Sequence, residues 1–394
     1  MADLFDKCRT YTAAREVMAA GLYPYFKPIE RNFGTEVIVK GKRLIMMASN
    51  NYLGLTVHPK VIEASIKAVE KYGSGCTGSR FLNGTLELHE QLEERLAQLT
   101  GHEAALVFST GFQTNLGAIS AVVGKRDAAI IDRADHASIV DGCRLSFGTT
   151  LKFKHNDMAD LECVLQKAQE FEGRLIVVDG VFSMEGDICP LPDVVALAKR
   201  YDTRVMVDDA HSLGVLGKSG SGTSEHFGLK NEVDMVMGTF SKSFASLGGF
   251  VAADESVIHY IKHNARAMIF SASMPPAAVA AVLACIDILK AEPERRERLW
   301  RNAEHLRKGL HSLGFSTGRS ETPIVPVVVG ENEVTFRFWK GLFDNGLFVN
   351  SAVSPAVPPG HGLLRTSVMA THEISQIDHA LEIFEKVGKE LGFI

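Results

Sequence analysis

Short apolar runs recur through the first two thirds of the chain, with helical or polar stretches between them. Five of these runs predict strands: AALVF at 104–108, AAII at 128–131, RLIVV at 174–178, RVMV at 204–207 and VDMVM at 233–237. Several are apolar at every position, which is typical of strands that are covered on both faces of a sheet. The pattern therefore predicts an α/β domain with a mostly parallel central sheet.

Helical periodicity is clearest in three places. Residues 59–72 follow it behind Pro59, residues 86–100 place several leucines on one face, and residues 192–201 lie between two predicted strands. Near residue 264 the pattern changes to successive helices. The short strands IVPVVV, LFVN and LLRTSV and a closing amphipathic helix at 373–390 come after them.

These patterns divide the chain into three parts. The first 45 residues predict an N-terminal arm with one helix, a Tyr/Pro segment and a hairpin that turns at Lys40-Gly41. We expect a large α/β domain over 46–264 and a smaller C-terminal α+β domain over 265–394.

Composition excludes several classes of protein. The net charge is −5 with mixed signs and no Lys/Arg-rich block, so we expect no nucleic-acid partner. No apolar run approaches the length of a transmembrane helix, and the N-terminus is too polar for a signal peptide. Six scattered cysteines without a CxxC pair predict reduced thiols in a cytoplasmic protein, and no metal site.

Polar residues follow the predicted strands, and the carboxyl ends of parallel strands meet at one edge of a sheet. The residues concerned are His136, Ser183, Asp208, His211, Thr239, Ser241 and Lys242, together with the Ser-Thr-Gly turn of VFSTGF at 107–112. Each has an ordinary alternative: a helix cap for Asp208, structural roles for the two histidines, and a surface turn for Lys242. Their coincidence at one edge favours a functional site.

Pyridoxal phosphate is the cofactor that uses all of these groups together. It needs a lysine for a Schiff base with its aldehyde and a carboxylate that keeps its ring nitrogen protonated. A helix N-terminus after a tight turn suits its phosphate, and imidazoles can stack on the ring or bind its hydroxyl. The sequence therefore predicts a pyridoxal phosphate site.

The stretches VDDAHSLGVLG, GTFSKSFASLGG, STGFQTN and DHASIVDG resemble the α-oxoamine synthase family of fold-type I pyridoxal phosphate enzymes. The resemblance runs from about residue 20 to the C-terminus. It implies a homodimer with active sites at the subunit interface. It also implies condensation of a small amino acid with an acyl-CoA thioester, with loss of carbon dioxide and CoA.

The resemblance also implies roles for single residues. Lys242 would form the Schiff base, Asp208 would pair with the pyridinium nitrogen, and His136 would stack over the ring. The other cofactor-binding residues would be Gly111, Phe112, Ser183, His211, Thr239, Ser241 and Ser271, the last reaching the phosphate of the partner subunit. Arg365 would bind the amino acid carboxylate and Asn51 would contact the substrate. Ala356 departs from the threonine of biotin-pathway members, so no threonine contact is carried over.

The stretches at 73–89, 263–276 and 368–372 are most similar to bacterial members that join L-serine to palmitoyl-CoA, giving 3-ketodihydrosphingosine in sphingolipid synthesis. Glycine with acetyl-CoA and alanine with pimeloyl-CoA remain alternatives. So does another fold-type I enzyme such as an aminotransferase, and peripheral contact with a membrane stays open. A non-catalytic relative would be expected to lack the Schiff-base lysine, and Lys242 is present.

Overall fold

The structure, a computed structural model, describes residues 3–394. The arm contains two short helices and three strands: α1 (Asp6–Arg9), α2 (Ala13–Ala19), β1 (Arg31–Asn32), β2 (Glu36–Val39) and β3 (Lys42–Met46). The predicted hairpin is confirmed, because β2 and β3 pair antiparallel around Lys40-Gly41. The prediction of a single helix was wrong. The chain breaks between α1 and α2, where the Thr10 hydroxyl donates to the Asp6 carbonyl and competes with the helical bonds.

The middle of the chain alternates helices and strands: α3 (Pro59–Tyr72), α4 (Glu87–Thr100), β4 (Ala104–Phe108), α5 (Gly111–Val122), β5 (Ala128–Asp132), α6 (Ala137–Leu145), β6 (Thr149–Phe153), α7 (Met158–Ala168), β7 (Arg174–Asp179), α8 (Leu191–Arg200), β8 (Arg204–Asp208), α9 (Thr223–His226), β9 (Met235–Thr239), β10 (Gly249–Ala253) and α10 (Glu255–Asn264). The predicted helices and the five predicted strands are confirmed, with β9 beginning two residues later than expected. The strands β6 and β10 were not predicted.

The C-terminal part contains α11 (Arg266–Ile269), α12 (Pro276–Ala291), α13 (Glu294–Ser312), β11 (Ile324–Gly330), α14 (Asn332–Asp344), β12 (Leu347–Phe348), β13 (Asn350–Ala352), β14 (Gly362–Ser367) and α15 (Ile374–Glu390). One sheet joins β11, β14 and β13, and β12 extends the arm's sheet by pairing with β3. The arm is therefore hydrogen-bonded to the C-terminal part of the chain. The domain boundaries at 45 and 264 stay predictions.

The central sheet has seven strands in the order β4-β10-β9-β8-β7-β5-β6, and β10 alone runs against its neighbours. The mostly parallel sheet predicted from the sequence is confirmed. Strand β7 shows why its run is apolar throughout: Leu175 and Val177 pack on one face, and Ile176 and Val178 on the other. Because apolar side chains cover both faces of the sheet, polar functional groups lie at the ends of its strands.

No helix in residues 3–394 is both long and apolar enough to cross a membrane.

His372, just before α15, is a buried neutral histidine, 2% exposed. Its Nδ1 accepts a hydrogen bond from the Met369 amide at 2.9 Å, so protonation at Nδ1 would break that contact. Burial lowers the pKa of His372 to about 4. Since the pKa in the unfolded chain is about 6.5, the stability contributed by the neutral ring is complete above pH 6.5 and is lost as the pH falls towards 4.

We therefore expect His372→Asn to reduce the loss of unfolding free energy between pH 7 and pH 4.5 by about 2.5 kcal/mol. Urea unfolding at the two pH values measures this difference. His379→Asn, on the exposed face of α15, is the matched control and should leave the loss unchanged. An equal pH dependence in wild type and His372→Asn would contradict the assignment.

Candidate active site

A cavity of about 330 Å³ opens at the carboxyl edge of the central sheet. Nine predicted site residues line it: Gly111, Phe112, His136, Ser183, Asp208, His211, Thr239, Ser241 and Lys242. Three others, Asn51, Ser271 and Arg365, lie outside its wall. The sequence-based expectation that strand ends bring these side chains together matches this arrangement.

Lys242 follows β9 and is held from both sides. Phe240 and Phe244, two residues before and after it, are fully buried and pack edge to face with ring centroids 6.0 Å apart. This anchoring fixes the backbone while the lysine side chain, half-buried, faces the cavity. Burial lowers the pKa of Lys242 to about 8, although Asp208 and Asp179 oppose the shift. Its amine is therefore neutral more often near pH 7 than that of an ordinary lysine.

Asp208, the last residue of β8, is held in one orientation. Its Oδ1 accepts from the Ala210 amide at 2.9 Å, and its Oδ2 accepts from Asn115 Nδ2 at 2.7 Å. Asn115 Nδ2 also donates to Ser138 Oγ at 2.9 Å, so the amide joins the strand end to helix α6. A carboxylate fixed by two donors can present its charge to a cationic partner without reorganising.

Two histidines near Lys242 are kept uncharged. His211 Nδ1 lies 2.7 Å from the Tyr52 hydroxyl, and burial, followed by Lys242 and Arg365, holds the pKa of His211 well below its usual range. Burial lowers the pKa of His136 as well. Its Nδ1 accepts from the Ser138 amide at 3.2 Å, which places the proton of the neutral ring on Nε2. His136 can therefore donate a hydrogen bond from Nε2.

The start of α5 is suited to bind an anion. Thr110 caps the helix by accepting from the Gln113 amide at 3.1 Å. In residues 3–394, the amides of Gly111 and Phe112 donate to no protein acceptor. A Cβ on Gly111 would lie 2.5 Å from Thr239 Oγ1, so only glycine fits there. The free amides and the positive end of the helix dipole favour a phosphate.

Arg365 lies behind the cavity wall as a buried cation. It is 5% exposed and makes no ion pair with any residue from 3 to 394. Its Nε donates to the Ser183 carbonyl at 2.5 Å, and its Nη2 donates to Asn50 Oδ1 at 3.0 Å. A buried guanidinium without a carboxylate is costly, so this position suits an anionic ligand.

Asn51 lies beside this group but turns its amide inward. Its Oδ1 accepts from the Leu55 amide at 2.9 Å, and its Nδ2 donates to Thr56 Oγ1 at 2.8 Å. The neighbour Asn50 is the residue that reaches Arg365. The predicted substrate contact of Asn51 stays a prediction.

Ser271 also lies outside the cavity wall. Its Oγ accepts from Gln113 Nε2 at 3.0 Å, near the start of α5. The predicted contact of Ser271 with a partner's phosphate stays a prediction.

Sequence analysis missed several residues that contact or line the site: Asn50, Tyr52, Asn115, Ser138 and Asp179. Asp179 ends β7 and pairs in register with Asp208, so its position at a strand end could have identified it. Tyr52 gave no such signal, because it meets His211 from a loop 159 residues away in sequence. Residues 3–394 contain no cluster of three or more His, Cys, Asp or Glu side chains suited to a metal ion.

The chain belongs to the family described as aminotransferase class I and II, whose model matches residues 42–384. Two curated relatives place it further among the α-oxoamine synthases, as the sequence motifs predicted. Serine palmitoyltransferase of Sphingobacterium spiritivorum is 52% identical over 98% of this chain and 97% of its own. The 8-amino-7-oxononanoate synthase of Treponema denticola is 44% identical over the whole of both chains.

A solved structure is similar over the full length. Serine palmitoyltransferase from S. paucimobilis, with a pyridoxal phosphate–myriocin adduct bound, is 40% identical and superposes with a TM-score of 0.97, covering all of both chains. The fold-type I architecture predicted for this chain is thereby confirmed.

The lowered pKa of Lys242 can be tested in the cofactor-free protein. We expect modification of Lys242 by pyridoxal phosphate, trapped with borohydride, to speed up from pH 6 and level off above about pH 8. Peptide mass spectrometry after short reactions gives the rate at this lysine and, as an internal control, at exposed lysines, where it should keep rising towards pH 10. A rate at Lys242 that follows the exposed lysines would show that its amine is not desolvated.

Proposed function

We propose that this chain is a pyridoxal phosphate-dependent acyltransferase that condenses L-serine with palmitoyl-CoA. The products are 3-ketodihydrosphingosine, CoA and carbon dioxide. The observation that carries the proposal is the match to serine palmitoyltransferases, which are 52% identical over 98% and 99% of this chain.

The residues of the cavity fit pyridoxal phosphate. The free amides at the start of α5, with the hydroxyls of Thr239 and Ser241 3.0 Å apart, suit its phosphate. The fixed carboxylate of Asp208 suits the ring nitrogen, and Lys242 has the lowered pKa that a Schiff-base lysine needs. When bound, the cofactor supplies an aldehyde carbon for amines and a ring that withdraws electrons from the amino acid's α-carbon.

The chain's own groups would carry the proton transfers. Lys242 would take the α-proton of the amino acid, and its pKa of about 8 suits a base that works near neutral pH. Asp208 would hold the ring nitrogen in its protonated form. His136, with its proton on Nε2, donates a hydrogen bond to the thioester oxygen as charge develops there.

Arg365 would bind the amino acid's carboxylate. It is the buried guanidinium without a carboxylate partner, and its hydrogen bonds to the Ser183 carbonyl and Asn50 hold its plane. A planar fork held in this way can accept a carboxylate through two parallel hydrogen bonds. The substrate's carboxylate would then be the ion-pair partner that Arg365 lacks in the free protein.

We also propose a cytoplasmic homodimer with shared active sites. All six cysteines are free thiols, which suits a reducing compartment. Large apolar side chains stand exposed on the surface, among them Leu82, Phe147 and Phe270. Exposed apolar groups of this size are typical of a surface covered by a partner. In the arm, Phe5, Tyr11 and Phe26 are exposed as well and would make peripheral contact with a membrane.

The substrate pair is tested by measuring free-CoA release with serine, glycine and alanine, each against palmitoyl-, pimeloyl- and acetyl-CoA. Serine with palmitoyl-CoA should be preferred at least about 100-fold over alanine with palmitoyl-CoA, because a site that bonds the serine hydroxyl leaves polar groups unpaired with alanine. Arg365→Lys is expected to raise KM for the amino acid about tenfold or more, since the fork is lost. Preference for glycine with acetyl-CoA, or alanine with pimeloyl-CoA, would overturn the substrate assignment.

Assembly is tested by size exclusion with light scattering, alone and with phospholipid vesicles. The protein should elute at twice the chain mass of 42.9 kDa and co-elute in part with the vesicles. Phe26→Ser, which alters one fully exposed arm residue, should reduce vesicle binding without changing the dimer mass. An active monomer would remove Ser271 from the site, and wild-type protein that never co-elutes would remove the membrane contact.

A further inference from the structure

A buried charge cluster lies behind the cavity wall, and the proposed chemistry does not use it. It consists of His155, Asn156, Asp132 and Asp187 and is called the clamp below. His155 Nδ1 lies 3.1 Å from Asp132 Oδ1, and its Nε2 lies 3.0 Å from Asp187 Oδ2. The Asn156 amide donates to Asp132 Oδ2 at 2.9 Å, and its Nδ2 donates to Asp187 Oδ2 at 3.0 Å. Two consecutive residues therefore bridge the same two carboxylates.

His155 is charged in this setting. Both ring nitrogens face carboxylate oxygens, and both can donate only when the ring is an imidazolium. Burial opposes the charge, but the hydrogen bonds to Asp132 and Asp187 outweigh it and raise the pKa of His155 to about 10. The two carboxylate side chains are 1% and 6% exposed, so water screens their mutual repulsion poorly. The His155 imidazolium lies between the two carboxylates and pairs with both.

The clamp joins the two loops that carry His136 and Ser183. Asp132 is the last residue of β5, four residues before His136, and Asp187 comes four residues after Ser183. Neither carboxylate enters the cavity. Their influence on the site therefore passes through the two loops.

A series of hydrogen bonds from backbone amides to aspartate side chains leads from Asp132 to His136. The Asp132 amide donates to Asp135 Oδ2 at 2.8 Å, and Asp135 Oδ1 accepts from the Asp179 amide at 2.9 Å. Asp179 Oδ2 in turn accepts from the His136 amide at 2.9 Å. The backbone of His136 is thereby fixed to the end of β7, and this chain of contacts begins at the clamp.

On the other loop, the clamp supports Phe182 and Ser183. The His155 ring packs edge to face on Phe182 with centroids 4.4 Å apart. The next residue, Ser183, offers its carbonyl to Arg365 Nε. A shift of this loop would therefore move the hydrogen-bond partner of the guanidinium.

We propose that His155 is a positioning residue, whose half-buried imidazolium fixes the loops of His136 and Ser183 relative to each other. The proposal rests on the proposed function for the use made of His136. Removing the cation leaves two buried carboxylates that repel, and the loops would separate. His136 would then lose its place although it does not contact His155.

The test is a double-mutant cycle of His155→Gln with His136→Ala, read by the affinity of the cofactor-free protein for pyridoxal phosphate. Each single variant should bind the cofactor about tenfold more weakly, and the double variant no more weakly than His136→Ala alone. Additive losses would overturn the proposal. His102→Gln is the matched control: this half-buried histidine bonds the Val233 carbonyl at the opposite edge of the sheet and should not couple to His136.

Two further measurements extend the test. The first distinguishes the charge of His155 from its packing, and the second tests its positioning role independently of the proposed function. Because the clamp balances charge, adding Asp187→Asn to His155→Gln should recover about half of the lost affinity or more. A further loss in that variant would overturn the role of the charge. In cofactor-free protein labelled at histidine, the His136 ring signal should shift in His155→Gln and stay in place in His102→Gln. An unmoved His136 signal in His155→Gln would overturn the proposal about His155. Failure of the wild-type protein to bind pyridoxal phosphate would overturn the proposed function instead, and the His136 signal would still test the role of His155.

Discussion

The site depends on one constraint: ionisable side chains at the carboxyl edge of the central sheet are buried away from water. Asp179 and Asp208 end neighbouring strands in register, and burial, followed by the charge of Asp208, raises the pKa of Asp179 well above its usual range. Lys242 opposes this rise in the pKa of Asp179, and Asp208 and Asp179 in turn limit the fall in the pKa of Lys242. The hydroxyls and amides around this edge supply the hydrogen bonds that water would otherwise provide.

The same constraint gives the histidines on the two sides of the wall different charge states. In the cavity, Lys242 and Arg365 add to burial, and His211 stays neutral. Behind the wall, Asp132 and Asp187 outweigh burial, and His155 is charged. A neutral ring can donate or accept a hydrogen bond according to its tautomer, whereas an imidazolium can only donate. The charged groups nearest to each histidine thus set its charge state, and with it the hydrogen bonds that the ring can make in the cavity or behind the wall.

The sequence was sufficient to predict the strands that are buried on both faces, because an unbroken apolar run is a local signal. It also predicted the residues that follow those strands, since the position of a strand end is itself local. The contacts of Arg365 could not be predicted in the same way: its partner Asn50 is 315 residues distant in the chain. The clamp was missed because Lys154–Asp157 has the composition of an ordinary polar loop. Only the folded sheet brings that loop beside Asp132 and Asp187.

The charges of the site explain the class of reaction better than they explain the substrate. In the proposed function, Arg365 would bind a carboxylate, which every amino acid carries, and Lys242 and Asp208 would serve the cofactor. These groups therefore cannot separate serine from alanine. Selection must come from neutral hydrogen bonding, since a polar group that bonds the serine hydroxyl would be left unpaired with alanine. The acyl chain is apolar, so its length is selected by the shape of the surface it meets, and charge at the sheet edge has no part in that choice.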